Sequence, residues 1–208
     1  MDTSQVIINE ERPQLTKHLA TRFKEKIGQN VNLLGEVVLG NEEADHRYHH
    51  YLEALESPDI NYISVKISGI YAQTHALNYE ESFPELVSRM SALYQKAIDF
   101  PYTDEDGIKR SKFINLDMEE YKDAHFTLRL FKAVLNLPQF KNYSAGIVVQ
   151  AYLPDAYDFQ TELLEFAKAR VDGGGAPIKM RLVKGCNLEM ETVISSLKGW
   201  PNPIRPSK

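Results

Sequence analysis

Cysteine is nearly absent: the chain carries only Cys186. An internal disulfide framework and any zinc site built on paired cysteines are therefore excluded, and a reducing, cytoplasmic setting is expected. Long hydrophobic runs are missing too. No stretch approaches the ~18 apolar residues of a membrane span, and residues 1–30, polar and acid-bearing, look like neither a signal peptide nor a basic transit peptide. The chain is expected to be soluble, with peripheral contact at a membrane face still open to it. A cationic surplus is lacking, since 24 Lys and Arg face 29 Asp and Glu for a formal charge of −5, which argues against broad nucleic-acid binding. No G-x-G-x-x-G or G-x-x-x-x-G-K follows any predicted strand, and Gly173-Gly174-Gly175 precedes a strand, so it reads as a turn. His46, His49 and His50 share helical spacing, but position 47 is Arg where H-E-x-x-H needs Glu. They read as a solvated face, and no metal is expected.

What is present is alternation. With 208 residues, 43% of them hydrophobic, one globular domain with a sizeable core is possible. A helical lead-in occupies residues 1–30, with an amphipathic helix from Gln14 to Ile27. Then follow apolar segments predicted as strands at Asn32–Val38, Ile60–Ile67, Lys112–Leu116, Gly146–Tyr152 and Ile178–Val183. Between and after them lie helical patterns at Glu42–Leu55, Glu81–Phe100, Met118–Leu137, Phe159–Val171 and Leu188–Leu197. Residues Tyr102 to Lys109 read as a polar, turn-rich loop.

Strands that are almost continuously apolar, separated by helices, imply a parallel sheet covered on its outer face. A doubly wound sheet would hold its ligand at a topological switch point, usually with a glycine fingerprint that is missing here. A (β/α)8 TIM-type barrel gathers polar residues from many strand ends onto one rim, and that pattern is visible. Lys66, Asp117, Gln150, Arg181 and Lys184 each fall near the end of an apolar run. A full barrel needs about eight units, whereas residues 31–208 hold about five. The expectation is a partial barrel with an open sheet edge that invites self-association.

The blocks Asn32-Leu33-Leu34-Gly35-Glu36, Ser64-Val65-Lys66-Ile67-Ser68, Asn115-Leu116-Asp117-Met118-Glu119-Glu120-Tyr121, Val149-Gln150-Ala151-Tyr152-Leu153 and Arg181-Leu182-Val183-Lys184-Gly185, in that order, resemble the proline dehydrogenase domain of bifunctional proline-utilisation enzymes. The resemblance implies oxidation of L-proline to Δ1-pyrroline-5-carboxylate, with FAD as hydride acceptor and a quinone as final oxidant. An aldehyde dehydrogenase domain or partner would carry the product on to glutamate. It further implies Arg181 near flavin N5, Lys66 beside flavin and substrate, and Gln150 bonded to the flavin ring. Asp117 would anchor a polar network behind the substrate, Lys184 would support the flavin, and Glu36 would act as a gate over the pocket. The family's substrate-clamping arginines lie beyond these blocks, so the site is expected to be incomplete.

Read from the residues alone, other roles stay open. Lys66 or Lys184 could form a Schiff base in a lyase barrel, or the chain could be a catalytically silent scaffold. Glu119 and Glu120 read as acids favoured by a helix N-terminus. Lys66 reads as a buried lysine in need of a partner, Gln150 as a candidate satisfied core amide, and Cys186 as a small buried side chain.

Overall fold

In the computed structural model, residues 12–32, 40–72 and 78–205 are described. Helix α1 (Arg12–Lys24) leads into β1 (Val31–Asn32), α2 (Asn41–Glu56), β2 (Tyr62–Val65) and α3 (Tyr79–Asp99). A short hairpin, β3 (Tyr102–Thr103) and β4 (Lys109–Arg110), precedes β5 (Phe113–Leu116) and α4 (Ala124–Leu135). The remaining elements are β6 (Gly146–Gln150), α5 (Ala156–Asp172), β7 (Lys179–Val183) and α6 (Leu188–Lys198).

Five strands form one parallel sheet in the order β1-β2-β5-β6-β7. Each strand therefore lies beside its predecessor in the sheet, and no reversal of order creates a switch point. That distinguishes the singly wound, barrel-type arrangement from the doubly wound alternative. The α/β class and the parallel sheet of five strands agree with the sequence.

Alternation along the strands separates two faces. Ile63, Val65, Ile114, Leu116, Ile147 and Val149 are fully buried, and the helices cover them with Leu55, Leu86, Met90, Leu93, Phe131 and Val134. Residues one step out of phase face the other side. There Tyr62 and Phe113 meet edge-on with ring centroids 5.0 Å apart, and the Lys179 ammonium sits 5.0 Å over the Phe113 ring. A helical segment with a buried stripe needs large residues at 3.6 spacing, and α3 supplies Leu86, Met90, Leu93, Tyr94 and Ala97. Pro84 is accommodated near its start, where its missing N–H costs little.

Several boundaries differ from expectation. The Tyr102–Lys109 segment is not a plain loop: Asp104 Oδ1 accepts from the N–H groups of Asp106 and Ile108, its other oxygen pairs with Arg110, and the chain folds back as a hairpin. The helix predicted from Met118 begins only at Ala124, because the chain stays out of the helix through Glu120 and then makes a single 3-10 turn at Tyr121–Asp123. The first strand is seen at Val31–Asn32. Most of its predicted length, with Glu36, lies outside the described residues.

Helix α1 is tied to the sheet by buried Leu19 and by a hydrogen bond from Thr16 Oγ1 to Asp59 Oδ2 at 3.1 Å. At the far side, β7 is an edge strand. Leu182 on it, Met190, Val193 and Leu197 on α6, and Trp200 beyond are exposed.

Candidate active site

The polar residues read from the sequence do meet at the end where the parallel strands finish. Lys66 follows β2, Asp117 follows β5, Gln150 closes β6, and Arg181 and Lys184 belong to β7 and its exit. In a parallel sheet this shared end is a consequence of register, since Ser64, Asn115, Gly146 and Lys179 stand in one row, and two residues further out on the same face come Lys66, Asp117, Val148 and Arg181.

Asp117 is the centre of one cluster. Its Oδ1 accepts from Arg181 Nη2 at 2.6 Å, from Asn115 Nδ2 at 2.6 Å and from Ser64 Oγ at 3.3 Å. Asn30 Nδ2 in turn donates to Ser64 Oγ at 2.9 Å. All three donors fall on one oxygen, so Oδ2 has no donor among the described residues. The Asp117 side chain is only 12% exposed. Burial raises its pKa above the ordinary carboxylate value; the Arg181 guanidinium opposes that, followed by the Ser64 and Asn115 hydrogen bonds and the Lys66 charge. Three donors from three strands thus hold a carboxylate that desolvation alone would tend to neutralise.

A second cluster forms around Glu119. Its carboxylate accepts from Ser68 Oγ at 3.0 Å and Ser68 N at 3.3 Å, and Lys66 Nζ lies 3.7 Å away. Its backbone oxygen accepts from Gln150 Nε2 at 2.8 Å. Gln150 is buried, and its Oε1 accepts from Cys186 N at 3.3 Å. Oε1 also accepts from Cys186 Sγ at 3.9 Å, so the amide bridges the β5 exit to the β7 exit with one N–H to spare.

Three expectations need correction. Glu119 is not an idle acid at a helix start, because that helix begins later and the carboxylate instead holds Lys66 and Ser68. The Lys66 side chain is 41% exposed, so it is partnered at a rim and not buried among the β-branched residues around it. Cys186 is exposed past the edge strand, with its Sγ near Gln150 Oε1 and Asn187 Oδ1. Lys184 is exposed as well, and its side chain has no partner among the described residues. Only its backbone oxygen is engaged, by Tyr152 N at 3.0 Å.

Sequence reasoning passed over Ser64, Ser68, Asn115 and Asn30. A signal was available in the alternation itself: Ser64-x-Lys66-x-Ser68 and Asn115-x-Asp117-x-Glu119 place every second residue on the face opposite the aliphatic core.

Chemically, the rim offers a fixed guanidinium, two ammonium groups and an amide beside a recessed carboxylate. Such a set suits an electron-rich ring and an anion, and supplies no built metal site: no group of three or more His, Cys, Asp or Glu able to hold a metal ion occurs among the described residues.

Comparison with known proteins gives this geometry a context. The family model described as proline dehydrogenase matches residues 15–208. Proline utilization A from Corynebacterium freiburgense is 41% identical, with a TM-score of 0.87 over 95% of this chain and 20% of that one. Proline utilization A from Bdellovibrio bacteriovorus, solved after inactivation by N-propargylglycine, is 30% identical, with a TM-score of 0.75 over 91% of this chain and 21% of that one. A further bifunctional proline utilization A protein is 24% identical with a TM-score of 0.73 and adds likeness of fold. The chain spans about one fifth of the length of these solved relatives. Among curated proteins none matches it.

Proposed function

This chain belongs to the proline dehydrogenase family, and from that premise we propose that it contributes the flavin-facing half of a site that oxidises L-proline to Δ1-pyrroline-5-carboxylate. The single observation that carries this reading is the Arg181–Asp117 contact at the strand ends, with the Lys66–Glu119 pair beside it.

The residues fit FAD by their donor chemistry. Arg181 reaches Asp117 through Nη2 alone, which leaves further N–H groups for an acceptor, while Gln150 keeps one N–H, and Lys184 stands unpartnered at the rim. FAD, when bound, supplies the acceptor for a hydride leaving the ring carbon next to the proline nitrogen. Arg181 is held in place before the reaction and stabilises the negative charge that accompanies reduction. Asp117 fixes the guanidinium by accepting from it. Lys66, positioned by Glu119, places positive charge near the substrate amine and disfavours its protonation, so the nitrogen lone pair is available as the C=N bond forms. Gln150 ties the β5 and β7 exits together, so that Arg181 and Asp117 hold their separation. Lys184 would meet the cofactor's phosphate-bearing chain. Glu36 is proposed to gate the pocket, on the sequence resemblance alone.

Electrons would pass onward to a quinone, and a fused or separate aldehyde dehydrogenase would take the product. The setting proposed is cytoplasmic with peripheral membrane contact; no described helix is long and apolar enough to cross a membrane. The open β7 edge and exposed apolar residues of α6 support association with another copy or segment. A Schiff-base lyase is the weaker reading, since neither Lys66 nor Lys184 is desolvated, the condition that activates such lysines.

The test is a visible spectrum of the chain after incubation with FAD and removal of free cofactor, followed by anaerobic L-proline. A retained flavin band that bleaches supports the reading. Absence of flavin uptake by both this chain and a version extended to the full length of its relatives would overturn it.

A further inference from the structure

Asn115 is fully buried, and its two amide ends have unequal fates. Nδ2 donates to Asp117 Oδ1 at 2.6 Å, whereas Oδ1 is buried without a hydrogen-bond partner. A carboxylate can only accept, so the amide cannot turn over without facing oxygen to oxygen. Oδ1 is lodged against the backbone of its neighbour in the row, Gly146: a Cβ there would stand 2.6 Å from Asn115 Oδ1 and 2.9 Å from the Phe113 ring. Gly146 has no positive φ. Its lack of a side chain therefore serves space and not backbone conformation.

We propose that Asn115, seated in the gap left by Gly146, is a positioning residue that aims the Asp117 carboxylate at Arg181. An unpaired buried acceptor is a cost that a fold normally avoids, and here it accompanies the donation to Asp117. Gly146 thus makes room for Asn115 in its own row, one step beneath the row in which Val148 stands between Asp117 and Arg181. The inference about geometry stands on the chain itself; its meaning for catalysis rests on the proposed flavin chemistry.

The charged and titratable groups that face Asp117 are Arg181 from β7, Lys66 after β2, Tyr62 on β2, and Tyr51 from α2, which also feels Glu119. With those groups unchanged, loss of the Asn115 donor leaves burial less opposed, and Asp117 takes up a proton at higher pH.

The experiment follows the Asp117 carboxyl carbon by NMR through a pH titration of the flavin-free chain, assigned with Asp117→Asn. Asn115→Ala, Gly146→Ala and the double variant are compared with the unsubstituted protein, and circular dichroism checks the fold. Both single variants are expected to move the Asp117 midpoint upward, with the double variant moving no further than Asn115→Ala alone. Gly146→Ala keeps the amide and displaces it, so it tests aim separately from chemistry. An unchanged midpoint in either folded single variant overturns the proposal, as does full additivity in the double. Because the readout needs no flavin, failure of the chain to take up FAD would count against the proposed function and leave this result standing.

Discussion

Arg181 on β7 donates to Asp117 at the exit of β5 over 2.6 Å, although β6 lies between their two strands. The contact passes Val148, the β6 residue in register with Arg181, and it couples three consecutive units of the sheet through one ion pair.

Replacing Arg181 by Met should lower kcat/KM for proline oxidation by roughly 100-fold or more, in line with the loss of one preorganised charge at a developing anion. Arg181→Lys should recover little, because an ammonium cannot serve Asp117 and a second acceptor with a planar fork. Steady-state assays with an artificial electron acceptor, on the full-length protein, measure both. A wild-type rate in Arg181→Met would remove this residue from the site.

Lys112 is 2% exposed, and its ammonium donates to the Ser57 backbone oxygen. Burial lowers its pKa to about 8, with Asp59 opposing. The charged form is the one the fold disfavours. Below about pH 8 both folded and unfolded chains carry the proton. Between there and the usual lysine range the folded state sheds it first, so stability rises with pH across that window. Urea unfolding near pH 7 and pH 9 should show the rise, and Lys112→Met should flatten it. Tyrosines such as Tyr51, pushed up to about 12 by burial, act in the opposite direction at higher pH.

Arg170 donates to five backbone oxygens, those of Ala176, Leu135, Phe140, Lys141 and Tyr143. It fastens the end of α5 to the segment that carries the chain from α4 into β6. Arg170→Ala should destabilise the chain by about 2 to 4 kcal/mol, at the net worth of several such bonds. Arg170→Lys should restore less than half, since one ammonium cannot span those carbonyls. Denaturant midpoints decide the matter.

Gly185 holds φ at 132°, and a Cβ there would lie 2.5 Å from the Tyr152 ring. Gly185→Ala should therefore cost about 1 to 3 kcal/mol through backbone strain and overpacking. It should also disturb Lys184 and Cys186 on either side, so FAD uptake should fall together with stability.

The exposed residues Met190, Val193 and Leu197 on α6, and Leu182 on the edge strand, predict concentration-dependent association. Leu197→Glu with Val193→Glu should shift the chain toward monomer in analytical ultracentrifugation. Unchanged sedimentation would exclude this face.

The outer face of the sheet was legible because residues such as Ile63, Val65, Ile147 and Val149 are aliphatic and β-branched, in segments bounded by turn residues. The hairpin at Tyr102–Arg110 was not, because its two-residue strands are organised by Asp104 side-chain bonds that leave no hydrophobic period. The start of α4 was misjudged for a related reason: Asp117 to Glu120 have the composition of a helix N-terminus, but Asp117 and Glu119 are committed to partners on β2, β7 and the β2 exit. Lys66, Asp117, Gln150 and Arg181 could be picked out as polar interruptions of apolar runs. Which of them touch, and that Glu119 and Asn115 join them, depends on strand register that periodicity does not encode.

Strand order that matches chain order has a consequence for biogenesis. Each βα unit finds its docking edge already made by the unit synthesised just before it, so the sheet can grow vectorially at the ribosome, with contacts kept short in sequence. The Arg181–Asp117 clasp, spanning three units, can close only once β7 has emerged, which makes it a late checkpoint of assembly.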